Sequence, residues 1–286
     1  MVIVISLMER WLTIDGARLA VDDDGTGDPV VCLHAIGHDA RDFDGVRARL
    51  RDGHRVIALD WPGQGRSPRD GRPVTATRYA ELVQAVLDAL DVETCVVIGN
   101  SIGGAAAIAY AARHAERVRG LVLENPGGLA PVDDRLAQAV LAAMARFFAA
   151  GARGAAWFRP AFALYYRLVL QRGAARAART RIVGRAYEVA PVLEQAWRGF
   201  ADPEADLRSL APRIRCPVLF AWATRDQFVA LARSLPAIRT FPNATLLRFP
   251  AGHAAHLETP AAFEAALEQF LAGVPRAATA IRTAAP

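Results

Sequence analysis

The sequence predicts an α/β protein: a mostly parallel central sheet covered by helices on both faces, interrupted by a helical insertion. Three observations lead there. Short apolar runs of strand character alternate with segments of helical apolar spacing over residues 29–125, and the alternation resumes over 216–271. That is the pattern of parallel strands joined by crossover helices. Residues 127–212, in between, carry helical patterns and no good strand. Finally, hydrophobic residues make up 53% of a 286-residue chain, enough for one large core and too much for global disorder. The predicted division is 1–126 for the first part of the core, 127–212 for a helical cap, 213–272 for the second part of the core and 273–286 for a frayed tail.

The elements follow in order. "RWLTIDGARLAV" holds two apolar runs around Asp15-Gly16, a hairpin signal. "PVVCLHA" (29–35) reads as a buried strand, and "DARDFDGVRARL" as a helix capped by Asp39. "HRVIALD" (54–60) is the next strand, followed by the glycine- and proline-dense loop "WPGQGRSPRDGRP". "TATRYAELVQAVLDALD" has helical spacing, 94–99 is a strand, 102–115 a helix and 118–125 a strand. After the insertion come a strand at 216–223, a helix near 227–236, a strand at 244–250 and a last helix at 260–271.

Charge says little about partners. Formal net charge is +5, from 34 basic and 29 acidic residues, and every basic residue is arginine. With so much alanine, this reads as coding bias and not as a nucleic-acid footprint. Cys32, Cys95 and Cys216 each lie in or beside an apolar run and are expected to be reduced core thiols. The opening "MVIVISLMER" lacks a basic stretch and a small-residue cleavage site, and is too short to span a membrane; Met8 is a second candidate start. The expectation is a cytoplasmic protein that binds a small-molecule substrate and neither nucleic acid nor membrane, with a homodimer left open. No histidine pair has metal spacing with a third ligand, so no metal or other cofactor is expected.

The chemistry centres on "VVIGNSIGGAAAIAYAARHA" (97–116). A buried strand here turns directly into a helix, which forces the central Ser101 into strained backbone angles. A Cβ two positions before or after would crowd the turn, so Gly99 and Gly103 flank it. Ser101 Oγ is thereby lifted clear of the sheet, beside a helix N-terminus whose free N–H groups face developing negative charge. A serine hydroxyl needs a base within reach, and the base an orienting carboxylate. Asp226 follows one late strand in "ATRDQFV", and His253 follows the next in "AGHAAHLETP". Their order and location suit an acid and a base.

The stretches "LHAIGHD", "DWPGQGRS", "GNSIGG", "WATRDQF" and "GHAAHLETP" resemble those of α/β-hydrolase-fold proteins, from about residue 10 to 271 apart from the insertion. The resemblance implies that Ser101 is the nucleophile, His253 the base and Asp226 the acid. It also implies an oxyanion hole from the backbone N–H groups of Ile36 and Ile102. Relatives usually carry His-Gly where this chain has His34-Ala35. Some place the acid where Glu124 stands, which makes Glu124 the alternative acid. Within the fold, "GNSIGG" and "ENPGGLAP" resemble the carbon–carbon-bond hydrolases of meta-cleavage products; that group often has tryptophan where this chain has Ala254. Haloalkane dehalogenases are similar too, but use aspartate at the position of Ser101.

Other residues are read more plainly. His256 is expected to pin the loop before the last helix, His34 to anchor the oxyanion loop, Asp60 to brace its loop, and His54 and His114 to lie on the surface. The candidate pocket residues are His38, Trp61, Trp157, Phe158, Tyr165, Tyr166 and Arg185. Arginines 167, 172, 176, 179, 181 and 185 crowd the cap; most should be solvated, while one could hold a substrate carboxylate. The leading expectation is a serine hydrolase of a small, largely apolar ester or lactone. The alternatives are a carbon–carbon hydrolase of a dienol keto acid, and a ligand-binding or receptor protein with little turnover.

Overall fold

The structure, a computed structural model, describes residues 8–275. The candidate start at Met1 and residues 276–286 of the expected tail lie outside them. Strands β1 (Met8–Ile14) and β2 (Ala17–Asp24) form the hairpin, turning at Asp15 and Gly16, both at positive φ. Then come β3 (Asp28–Leu33), α1 (Asp44–Leu50), β4 (His54–Leu59), α2 (Ala76–Ala89), β5 (Cys95–Asn100), α3 (Ile102–Arg113) and β6 (Val118–Glu124). Four helices follow in the segment expected to be a cap, and called so below: α4 (Arg135–Ala152), α5 (Phe158–Val169), α6 (Arg176–Gly184) and α7 (Ala186–Gly199). The core closes with β7 (Val218–Ala223), α8 (Leu231–Ile238), β8 (Ala244–Phe249), α9 (Ala255–Glu258) and α10 (Pro260–Gly273).

The eight strands form one sheet in the order β1-β2-β4-β3-β5-β6-β7-β8. β1 and β2 pair antiparallel, as do β2 and β4; the other pairs are parallel. Alternation along the strands divides the core. Val31, Leu33, Val97, Leu121 and Phe220 face one layer, with α2 and α3. Val30, Cys32, Val96, Ile98, Val122 and Leu219 face the other, with α1 and α10. Both faces are covered, so the central strands read as continuous apolar runs.

Some boundaries differ from expectation. Asp39 does cap its segment, accepting from Arg41 N, but residues 40–43 are a 3-10 turn and α1 starts only at Asp44. The helix expected near 227 begins at Leu231, because Phe228 N and Val229 N donate to Asp226 instead of entering a helix. Cys32 and Cys95 are buried and Cys216 half-buried, all free, and burial pushes their thiols up. His54 and His114 are half-buried, the latter with its ring 4.9 Å from Tyr110.

The cap is held by rings. Phe148, Phe158 and Phe162 are fully buried, with Phe158 and Phe162 stacked at 5.2 Å. α4 approaches closely because Gly151 faces the Phe158 ring, where a Cβ would collide. No helix among the described residues is long and apolar enough to cross a membrane.

Candidate active site

The turn between β5 and α3 has the expected strain. Ser101 sits at φ 56°, ψ −117°, a conformation costing about 1–3 kcal/mol. A Cβ on Gly99 would come within 2.5 Å of the Gly103 carbonyl, and one on Gly103 would run into the Leu33 carbonyl. The turn is held from the next strand, since Ser101 N donates to Glu124 O at 2.9 Å. Ile102 opens α3, so its N–H has no carbonyl four residues back within the helix.

His253 lies on the loop after β8. Its Nδ1 is 2.6 Å from Asp226 Oδ2. Its carbonyl accepts from Asn100 Nδ2 at 3.0 Å, which ties the loop to the residue before Ser101. Asp226 is itself fixed: Oδ2 also accepts from Asn125 Nδ2 at 2.7 Å, and Oδ1 from Phe228 N at 2.8 Å and Val229 N at 3.0 Å. Burial works against a charged His253, but the carboxylates of Asp226, Glu258 and Glu124 together offset it, Asp226 most of all, and the imidazole pKa is raised above its ordinary value. Glu124 is committed elsewhere. His256 Nδ1 lies 2.8 and 3.0 Å from its two carboxylate oxygens, and His256 N donates to it at 3.0 Å. Asp226, not Glu124, is therefore the carboxylate on His253, which corrects the alternative acid. His256 also stacks on Phe43 at 4.6 Å and fixes the start of α9.

The loop carrying Ile36 is pinned at several points. His34 Nε2 accepts from Trp61 N at 3.1 Å, and Nδ1 lies 2.7 Å from the Ala35 carbonyl. Burial lowers the His34 pKa, so the ring stays neutral. Gly37 N donates to Gln64 Oε1 at 2.6 Å. Asp60 braces the neighbouring loop, accepting from Ala40 N at 2.7 Å and from Arg66 N at 3.0 Å.

A cavity of about 190 Å³ lies between these loops and the cap, and Ser101, His253, Ile36 and Ile102 all line it. So do His38, Tyr165 and Tyr166 from the sequence-based candidates, together with Trp197 and Phe228. Four candidates do not. Trp61 is fully buried, stacked on Tyr79 at 4.1 Å with Nε1 donating to the His34 carbonyl. Phe158 is in the cap core, and Trp157 is 55% exposed on its outside. Arg185 pairs with Glu188 at 2.8 Å. None of the six clustered cap arginines lines the cavity. Three carboxylates, Asp202, Glu204 and Asp206, border it instead.

Sequence reasoning missed Glu258. This buried carboxylate takes Gly252 N at 2.8 Å and His253 N at 2.9 Å on one oxygen, and Gln171 N at 2.7 Å and Arg172 N at 3.0 Å on the other. It joins the histidine loop to the link between α5 and α6. Asn100 and Asn125 were missed as well. The available signal was a polar residue closing each apolar run, "VVIGN" and "LVLEN", because a buried amide has to find partners.

Comparison with known proteins agrees with this architecture. The family model described as alpha/beta hydrolase fold matches residues 28–260. The chain belongs to that family and is an α/β-hydrolase. Over 275 residues it is 30% identical to the 2-hydroxymuconate semialdehyde hydrolase of Pseudomonas putida, covering 92% of this chain and 94% of that protein. A 120-residue stretch is 31% identical to an uncharacterised protein of Mycobacterium tuberculosis, but spans 42% of this chain and only 35% of that protein's length. Among solved structures, the esterase of Exiguobacterium antarcticum superposes with a TM-score of 0.80 at 20% identity, over 93% of this chain and 100% of that one. Among the described residues no group of three or more His, Cys, Asp or Glu could hold a metal ion.

Proposed function

We propose that the protein hydrolyses a small, largely apolar ester or lactone through a Ser101–His253–Asp226 triad, by chemistry that needs no cofactor. His253 takes the Ser101 proton as Oγ attacks the carbonyl carbon. The N–H groups of Ile36 and Ile102 hold the oxyanion. As the tetrahedral intermediate collapses, His253 hands the proton to the departing alkoxide oxygen. A water deprotonated by His253 then attacks the acyl-enzyme, and the acid leaves as Ser101 recovers its proton. The observation that carries this reading is the His253 ring, held at 2.6 Å by Asp226 on one nitrogen and bordering the same cavity as Ser101.

The choice of bond rests on charge. A dienol keto acid is an anion, and the residues lining the cavity include no arginine, while three carboxylates border it. An uncharged ester or lactone suits that wall better. Carbon–carbon hydrolysis is the second reading, favoured by the Pseudomonas putida relative that matches over nearly its whole length. The experiment that separates them is a panel of chromogenic esters, lactones and dienol acids, assayed with wild type and Ser101→Ala. Turnover of esters or lactones that disappears in Ser101→Ala is the expected result. Turnover of the dienol acid alone would replace this reading with the second. Covalent labelling of Ser101 by a fluorophosphonate would count against a ligand-binding protein without chemistry.

A further inference from the structure

His253 is not the sole imidazole on the cavity. His38 lies two residues beyond Ile36, lines the same space and is 2% exposed. Its Nδ1 is hydrogen-bonded to Asp42, one turn further on. Burial alone would raise the Asp42 pKa, but His38 and Arg181 beside it bring the carboxyl below its ordinary value. Arg181 reaches down from cap helix α6, donating Nη2 to Asp42 and Nε to Asp39, the latter at 3.0 Å. An ionised carboxylate can only accept, so Nδ1 carries the proton. In the neutral ring Nε2 is then a lone-pair acceptor. Among the described residues Nε2 has no hydrogen-bond partner, yet it is not one of the polar atoms sealed from solvent. Since His38 lines the cavity, the opening at Nε2 is assigned to it.

We infer that His38 determines specificity: its Nε2 accepts a hydrogen bond from an O–H or N–H that the substrate carries one or two atoms from the scissile carbonyl. The placement follows from the loop. Ile36 N–H is assigned to the carbonyl oxygen, and His38 is two residues away on the same turn. The inference rests on the serine-hydrolase reading above and narrows it to esters or lactones of α-hydroxy or α-acylamino acids. A plain alkyl ester would leave Nε2 unpaired where the bound substrate displaces water from it, a loss of the kind that makes polar sites selective.

Methyl mandelate and methyl phenylacetate, which differ by one α-hydroxyl, provide the test, with hydrolysis followed by pH-stat. The quantity read is the ratio of kcat/KM for the two esters, in wild type, His38→Asn and His38→Gln. Asparagine keeps a donor for Asp42 and vacates the Nε2 position; glutamine leaves an acceptor near that position and loses the Asp42 contact. The mandelate preference should fall about tenfold in His38→Asn and be largely retained in His38→Gln, whatever the change in melting temperature. An unchanged ratio in His38→Asn, or a ratio lost in a folded His38→Gln and kept in His38→Asn, would reduce His38 to a brace for Arg181 and overturn the inference. If His38→Asn does not fold, the ratio in His38→Gln decides alone. A wild type that no fluorophosphonate labels at Ser101 would remove the hydrolase reading and this inference together; a labelled wild type with an unmoved ratio removes this inference only.

Discussion

The loops at the carboxyl edge of the sheet and the helical cap face one cavity, but different forces hold them. At the sheet edge the ties are directional. Asp226, Glu258, Glu124 and Asp60 are buried or nearly so, and each accepts from several donors. In the cap the ties are apolar contacts among Phe148, Phe158, Phe162 and Tyr165, with ring centroids 5.2–6.3 Å apart. Directional ties hold reacting atoms to a fraction of an ångström, as chemistry requires. Apolar packing tolerates exchange at constant volume. Changes at the edge should therefore act on kcat, and changes in the cap on KM.

The largest expected effect is at Asp226. Asp226→Asn should lower kcat about 10⁴-fold with the fold intact by circular dichroism; full activity there would dissolve the contrast at its root. The same site predicts a pH profile. As the proposed base His253 must be neutral to accept a proton, and its pKa is raised, so on that proposal kcat/KM should fall as pH drops, with the acid limb above the ordinary imidazole value. Asp226→Asn should move that limb to lower pH.

Glu258→Ala comes next. It strands five backbone N–H groups, the most distant being Ala254 N at 3.4 Å, and urea unfolding should report a loss on the order of 3–5 kcal/mol. Because Glu258 also helps to raise the His253 pKa, whatever activity survives should show an acid limb at lower pH. A stable variant with an unmoved limb would mean that the joint between cap and histidine loop is incidental.

Tyr165→Leu probes the cap side. KM for an ester should change by roughly three- to tenfold, the worth of a partial loss of apolar contact, and kcat by less. A kcat collapse would show that the cap shares in holding the reacting atoms. The smallest effect belongs to Trp157→Ala, outside the cavity: stability within about 0.5 kcal/mol and kcat/KM unchanged in the same assay.

The two regions also differ in how far they can be read from sequence. Ser101 is legible because Gly99 and Gly103 are the residues a strand-to-helix turn of this tightness demands, and the demand is local. Asp226 and His253 are legible because each directly follows an apolar strand. Glu258 is not, since its partners lie at 171–172 and at 252–253, and nothing in either segment announces the other. In the cap, Tyr165 and Tyr166 line the cavity while Trp157 and Phe158, equally aromatic and a few residues away, do not. Helical spacing shows that the segment is amphipathic; the way α5 docks decides which ring faces the cavity.

By itself, the chain's order of residues determined the alternation of strands and helices, the two-sided burial of the central strands and the strained turn at Ser101. All of these follow from steric limits and apolar periodicity within a few residues of each position. Tertiary structure decided between Asp226 and Glu124 as the partner of His253, gave Glu124 to His256 instead, and turned the cap arginines away from the cavity. The reason is physical: such pairings join separate segments of the chain, and only packing of the whole core sets the distances between them.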